Sequence, residues 1–595
     1  MHIVDISIII GYVIAVIVIG FVLSKKAGKD LDAYFLSGKS VPWYILGVSN
    51  ASSMFDITGT MWLVYILFVY GAKGVWLPWL WPTWNQIFLM VYLSIWIRRS
   101  NVLTGGEWIK TRFGEGKSGE LARLSVAIFA LVGVIGFLSY AFKGIGKFAD
   151  VFFPWGFSPD AYATVILLVT MIYVIVGGMY SVVFTDIIQF VLMAIVSIFI
   201  GYKAMVSVSP EQIAAVVPEG WSTLWFGWTM DVDWSNIIPA AMDKIAADQL
   251  DLFTIIFMMM IFKGVLVSAA GPAPGYDLQR ILATRNARES ALMSGIVSFC
   301  HVPRWIMIAG ITVLALVFFS PELKQMGADI DFEKILPWII KSDFIPVGVT
   351  GLLLAGLLAA FMSTFDSTVN AGASYLVVDV YRKYINPNAD ERTSIRMSYI
   401  ASVLVVVVGI AFGLVVESIN SVMQVIVSGL WGGYIAPNVL KWYWWRMNGY
   451  GYFWGMIIGV ASAIASIVLF PNVNPIFLFP GILIISTIAT IWASLVTAPD
   501  DEKVLQAFYK NVRPWGFWRP IQQQVMHETP DFQPNRDFKR DMTNIVVGVI
   551  WQTALVTLPV YFILQDNMPM FFSLVVAAAT TWFLKKNWYD RLPTD

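Results

Sequence analysis

The nine residues Ala359-Ala360-Phe361-Met362-Ser363-Thr364-Phe365-Asp366-Ser367 place three hydroxyls and a carboxylate inside an otherwise apolar stretch. Polar groups are expensive in such a setting and mark function by default. On a helix, Ala360, Ser363 and Thr364 stand at i, i+3 and i+4 and share one face, and Ser363, Asp366 and Ser367 repeat the spacing. Two small oxygen-lined sites would therefore overlap at Ser363. Oxygen ligands with nothing soft beside them suit a hard cation. The competing reading has the Ser and Thr hydroxyls bonding back to the preceding turn. It leaves Asp366 without a partner, and a buried carboxylate needs one.

The elements that must hold these groups are membrane helices. The chain has 595 residues, 58% of them hydrophobic and only 13% charged, with 26 Trp and 40 Phe. That composition describes an all-α polytopic membrane protein and not a soluble enzyme. Fifteen apolar windows reach spanning length, the first at 4–24 and the last at 568–586. Lys25, Lys26 and Lys29 follow the first window, which puts that loop in the cytoplasm, the N-terminus outside and, by alternation, the C-terminus inside. The first window lacks a basic leader and a small-residue cleavage site, so it reads as a retained helix. A bacterial-type inner membrane is the expected location.

Two windows are interrupted. In 43–70 the run Ser49-Asn50-Ala51-Ser52-Ser53-Met54-Phe55-Asp56-Ile57-Thr58-Gly59-Thr60 is too polar for a lipid-facing helix. After 252–270, in the window 252–272, the sequence Gly271-Pro272-Ala273-Pro274-Gly275 must break the helix near its cytoplasmic end. Irregular backbone at membrane depth is tolerated only around a protein-lined cavity. These windows are second and seventh in order, an odd offset of five, so two five-helix units would run in opposite directions. The expected organisation is an N-terminal accessory helix and loop (1–42), a first repeat (43–206), an outer loop (207–251), a second repeat (252–446), two accessory helices (447–497), a cytoplasmic linker (498–542) and C-terminal accessory helices (543–595). Within the linker, 502–512 reads as a short surface helix and Trp515 with Trp518 as a membrane-interface anchor.

Other function classes fare poorly. A zero formal net charge points to no nucleic acid. The single cysteine, Cys300, excludes an internal disulfide and a cysteine metal cluster. No catalytic triad, metal cluster or phosphate loop is legible, so the chain does not read as an enzyme. A channel or membrane sensor would need a continuous polar pore or a signalling domain, and the windows offer neither.

At this level of detail the chain resembles the sodium/solute symporters, the family of the sodium/glucose, sodium/proline and sodium/sialic acid symporters. The resemblance rests on Gly177-Gly178-Met179-Tyr180-Ser181-Val182-Val183-Phe184-Thr185-Asp186-Ile187-Ile188-Gln189, on Gln279-Arg280-Ile281-Leu282-Ala283, and on the Ala359–Ser367 run closed by Asp379-Val380-Tyr381. It spans about residues 5–500. It implies the inverted five-plus-five helix core of the LeuT fold and sodium-driven alternating access. It further implies a first sodium site from the carbonyls of Met54, Ile57 and Ala360 and the hydroxyls of Ser363 and Thr364. A second sodium site would use Asp186, Ser363, Asp366 and Ser367, with Asp366 standing where the family carries a serine or threonine.

The solute is less legible. A small polar organic molecule, a sugar or related metabolite ahead of an amino acid or organic acid, is the expected cargo. Gln424 aligns with a sugar-contacting glutamine of the family, but Thr83 replaces an expected glutamate, Cys300 a lysine, Met61 a histidine and Ala270 an inner-gate tyrosine. Asp56, Thr83, Gln86, Lys263, Cys300, Arg304 and Gln424 are the substrate-contact candidates. Lys263 and Arg304 lie within windows and require an anion, either Asp56 or Asp366 or a solute carboxylate. Asp56 could cap a half-helix, support the break or sense sodium.

Overall fold

The computed structural model describes residues 2–27, 40–80, 84–100, 105–153, 155–174, 179–272, 276–424, 426 and 430–593. In chain order its helices are α1 (Ile3–Ala27), α2 (Trp43–Ser52), α3 (Ile57–Tyr70), α4 (Asn85–Phe88), α5 (Ser94–Arg99), α6 (Gly105–Phe113), α7 (Lys117–Phe152), α8 (Pro159–Val174) and α9 (Met179–Ser207). The 207–251 loop carries α10 (Pro210–Val216) and α11 (Pro239–Asp248). Then come α12 (Phe253–Ala270), α13 (Tyr276–Ala283), α14 (Ala287–Cys300), α15 (Val302–Met326), α16 (Ile335–Lys341), α17 (Val349–Ser374), α18 (Glu391–Val415), α19 (Ile419–Gln424) and α20 (Trp431–Tyr443). The chain ends with α21 (Gly449–Leu469), α22 (Pro475–Val496), α23 (Glu502–Val512), α24 (Arg519–Glu528), α25 (Phe538–Leu564) and α26 (Asn567–Asn587). The described residues form no β-strand, and ten of their helical stretches are long and apolar enough to cross a membrane.

The two interrupted windows are where the helices stop. The second window splits into α2 and α3 because Asp56 takes extended backbone (φ −53°, ψ 149°) and its carboxylate accepts the amide of Gly59 at 2.8 Å, capping α3. Every residue of α3 is buried, the mark of a helix at the centre of a bundle. It ends at Gly71 (φ +64°), where a Cβ would stand 2.1 Å from the carbonyl oxygen of Trp221, so only glycine admits that segment of the 207–251 loop. The seventh window likewise ends at Gly271 (φ +88°), and its residues 273–275 lie outside the described set.

Packing places the polar run at the break. α17 lies against α3, α7 and α9, and α2 lies against α9, α13 and α14. α1 runs along both α9 and α17. The N-termini of α1 and α17 meet at Asp5 and Gly348, so the two helices start from the same end of the bundle.

The ends of the bundle are closed differently. At one, the buried carboxylate of Asp248 on α11 accepts from Tyr65, Tyr70 (2.5 Å), Lys244 (2.7 Å) and Asn420 (2.9 Å), binding the 207–251 loop to α3 and α19. At the other, the fully buried Arg112 of α6 donates to the carbonyls of Lys441, Trp444 and Met447 at 2.9, 3.1 and 2.9 Å and lies 3.6 Å from Asp500. Burial draws its guanidinium down to about 10, which leaves it charged at neutral pH.

The 498–542 segment helps build that floor. The surface helix falls at Glu502–Val512 as the sequence indicates, but the Trp515/Trp518 anchor is corrected. Trp518 is 1% exposed and donates to the Trp442 carbonyl at 2.8 Å, while Trp515 donates to Asp541 at 3.1 Å. Both indoles find partners inside the protein, which removes the reason for them to seek the headgroup layer. The window at 291–319 also differs, dividing into α14 and α15 at His301, just before Pro303.

Candidate functional site

α17 turns its polar face toward the break between α2 and α3. The Thr364 hydroxyl donates to the Ser53 carbonyl at 2.9 Å, joining the first element of the site directly to the irregular backbone. One residue away, the Ser363 hydroxyl donates to Oδ1 of Asp186 on α9 at 2.5 Å. Ala360 is fully buried on the same face. Met54 lies in the break and Ile57 opens α3. Thr364 thus meets the break that Met54 and Ile57 flank, and Ala360 and Ser363 stand on the same helix as Thr364. Their carbonyls and hydroxyls are the hard, neutral donors a monovalent cation requires.

Asp186 is fully enclosed, with no side-chain exposure. Besides Ser363, its Oδ2 accepts from Ser49 at 2.5 Å and from Arg280 Nη2 at 3.2 Å. Arg280 Nε also donates to the Ser49 hydroxyl at 3.2 Å, which closes a ring of Asp186, Ser49 and Arg280. Asp366 accepts from Asn370 one turn further along α17 at 2.7 Å. Ser367 is half-buried on the same helix. Of the second oxygen set, the structure joins Asp186 and Ser363 through a hydrogen bond, while Asp366 is engaged within its own helix.

Asp56 has its own arginine. Arg304 Nη2 lies 3.4 Å from Asp56 Oδ1 and 3.4 Å from the Thr60 hydroxyl, and Tyr140 of α7 donates to Asp56 Oδ2 at 3.0 Å. Arg304 therefore pairs with Asp56, one of the two carboxylates proposed for it. Lys263 is buried on α12 with its Nζ 5.8 Å from the Phe479 ring of α22. Cys300, at the end of α14, packs on Ala51 with Met54 alongside, so it stands against the break. Gln86 is buried on α4, whose neighbours are α12, α14 and α25. Gln424 ends α19. Thr83 lies outside the described residues.

Four participants escaped the sequence reading. Ser49, Arg280, Tyr140 and Thr60 hold the two aspartates, although none was read as a site residue. The available signal was the need of each buried carboxylate for a cation. Arg280 lies in the Gln279–Ala283 motif, but the motif does not say which carboxylate its cation meets.

Comparison with known proteins bears on what this arrangement does. Residues 34–459 match the model of the sodium:solute symporter family. The sodium/glucose cotransporter 4 of Danio rerio is 25% identical over 556 residues, which cover 84% of this chain and 80% of that protein. The sodium/myo-inositol cotransporter of Homo sapiens is 25% identical over 570 residues, 86% of this chain and 75% of that protein. Among solved structures, a substrate-bound outward-open state of a Na+-coupled sialic acid symporter superposes with a TM-score of 0.63 at 17% identity, covering 84% of this chain and 99% of that one. At that identity the likeness is one of fold.

Proposed function

The chain belongs to the sodium:solute symporter family, and from that premise we propose how its sodium-coupled transport is built and which solutes it takes. It is an integral membrane symporter and not an enzyme. Our reading of the core is five plus five inverted helices, with broken first members at α2/α3 and α12/α13, inside a total of about fifteen spans. The N-terminus lies outside and the C-terminus in the cytoplasm. The repeats fall at 43–206 and 252–446, with the remaining segments as accessory helices and linkers.

Sodium is held by the carbonyls of Met54, Ile57 and Ala360 and the hydroxyls of Ser363 and Thr364. The observation that carries this reading is the Thr364 hydroxyl seated 2.9 Å from the Ser53 carbonyl, which aligns the α17 face with the break. Five neutral oxygens make a site of modest affinity, suited to an ion released in every cycle. A second sodium, at Asp186, Ser363, Asp366 and Ser367, would have to enter beside Arg280 and draw Asp366 away from Asn370. A sodium Hill coefficient of one that Asp186→Ala leaves unchanged would count against it.

The solute is a small polyhydroxylated molecule of the sugar or inositol kind, as carried by the relatives that their names describe. The structure supplies a supporting argument: Asp56 and Arg304 satisfy each other beside the break, so a solute bringing its own carboxylate would displace an existing ion pair. An amino acid or organic acid is accordingly the weaker reading. Proteoliposomes loaded with potassium and given an inward sodium gradient should accumulate labelled glucose or myo-inositol above equilibrium. Flux indifferent to sodium would overturn the coupling, and flux confined to charged solutes would overturn the solute class.

A further inference from the structure

α1 lies outside the residues that match the family model, yet it touches the helices of the proposed sodium site. Its contact is specific. Asp5, in the first turn of α1 and 2% exposed, accepts the amides of Gly348 at 2.7 Å and Gly351 at 2.9 Å, both through Oδ1. Those amides belong to the start of α17, whose own N-cap residue, Gly348, has no side chain to offer. The first amides of a helix have no partner within it and carry the positive end of its dipole. Here two helix N-termini of like polarity meet, and the Asp5 carboxylate stands between them.

The fit is tight. A Cβ at Gly351 would stand 2.6 Å from the Cα of Asp5, so α17 starts with a glycine where α1 crosses it. From Gly351 to Ser363 is 363 − 351 = 12 residues, or about 18 Å of continuous helix. α1 also lies along α9, and α9 supplies the Asp186 that Ser363 meets. Three helices therefore form a closed triangle: α1 grips α17 by its N-terminus and flanks α9, and α17 and α9 join at Ser363 and Asp186. A shift in the start of α17 moves its hydroxyl face along the break, because a packed helix transmits displacement along its axis.

We propose that Asp5 is a positioning residue for sodium binding, setting the axial register of α17 and hence the placement of Ser363 and Thr364. The proposal rests on the sodium reading above. The test is a titration of the purified full chain in lipid nanodiscs with sodium chloride, against choline chloride at constant ionic strength, followed by intrinsic tryptophan fluorescence. Asp5→Ala should raise the half-saturating sodium concentration about fivefold, the scale of a lost helix cap. Asp5→Asn keeps the Oδ1 acceptor and loses only the charge, so the rise should be about twofold. Gly351→Ala, which pushes the two helices apart, should move the constant the same way. A merely structural role would lower yield and melting temperature and leave the constant where it was. Wild-type constants in both Asp5→Ala and Gly351→Ala overturn the proposal. If Asp5→Ala is not recovered folded, Asp5→Asn and Gly351→Ala decide on the same terms. A wild-type chain with no saturable sodium response overturns the sodium reading itself, and the proposal falls with it.

Discussion

Two buried aspartates lie near the break, and each faces an arginine, but their surroundings differ. Asp56 and Arg304 retain 16% and 10% side-chain exposure and meet at 3.4 Å. Asp56 is already a helix cap, and it accepts from the Gly59 amide and the Tyr140 hydroxyl without help from the arginine. Asp186 and Arg280 are 0% and 3% exposed and meet at 3.2 Å. The other donors to Asp186 given by the geometry are hydroxyls, Ser49 from α2 and Ser363 from α17. The first pair ties the start of α3 to α7 and α15 at a partly exposed point. The second ties α9 to α2, α13 and α17 in full enclosure, and α17 is the helix with the proposed sodium ligands. A contact of the first kind suits a part that holds its shape, whereas one of the second kind suits a junction that changes as ions arrive and leave.

The largest effect should come from breaking the more buried pair. Arg280→Gln strands a carboxylate with two hydroxyl donors, and removal of one partner from a buried pair costs about 3–5 kcal/mol. We expect a fall in melting temperature and loss of sodium-dependent uptake. Adding Asp186→Asn should recover part of the melting temperature, since the carboxylate that Arg280 contacts directly is then neutral, while uptake stays low. If the double variant melts no higher than Arg280→Gln alone, the pair is not the source of the cost.

Arg304→Gln should be milder. Asp56 keeps its backbone cap and Tyr140, and part of the pair faces solvent, so the loss is about 1–2 kcal/mol, the scale of one charged hydrogen bond. Uptake should continue with a higher solute requirement. Equal melting temperatures for Arg304→Gln and Arg280→Gln would erase the contrast between the two sites.

Thr364→Ala tests the break from the other side. It removes a proposed ligand and the bond to the Ser53 carbonyl, and it leaves Asp186 untouched. The sodium concentration for half-maximal uptake should rise about tenfold, the equivalent of roughly 1.4 kcal/mol, with little change in melting temperature. A sodium requirement equal to that of the wild type would remove Thr364 from the site.

These contrasts also show what a single sequence carries. The hydroxyl face of α17 was legible because i, i+3 and i+4 spacing is a local property, as was the cap at Asp56. Arg304 was recognised as needing an anion, and Asp56 was one of the two carboxylates proposed. Arg280 is legible only as part of the Gln279–Ala283 motif, and Ser49 only as part of a polar break. The reason is physical. Ser49 and Asp186 are 137 residues apart in the chain, and Arg280 and Asp186 are 94 apart, so nothing local encodes their meeting. Trp518 was misplaced for a related reason. An indole beside an apolar span can serve a headgroup or a buried carbonyl, and only the packing of 498–542 under α20 decides for the carbonyl of Trp442.

The smallest effect should come from Ser49→Ala, and it separates a junction from a simple ion pair. The Ser49 hydroxyl donates to Asp186 at 2.5 Å and accepts from Arg280 Nε at 3.2 Å, so it stands between the two charges. Its removal leaves the direct 3.2 Å contact from Arg280 Nη2 in place, and the Ser363 donation as well. The stability lost should be about 1 kcal/mol, the net worth of one buried hydrogen bond. Ser49 is also the tie from α2, the half-helix that leads into the break. If the junction rearranges with sodium, loosening that tie should alter the sodium dependence of uptake more than the melting temperature. A change in melting temperature alone would mean that Ser49 only fills space between Asp186 and Arg280, and that the junction is as static as the cap at Asp56.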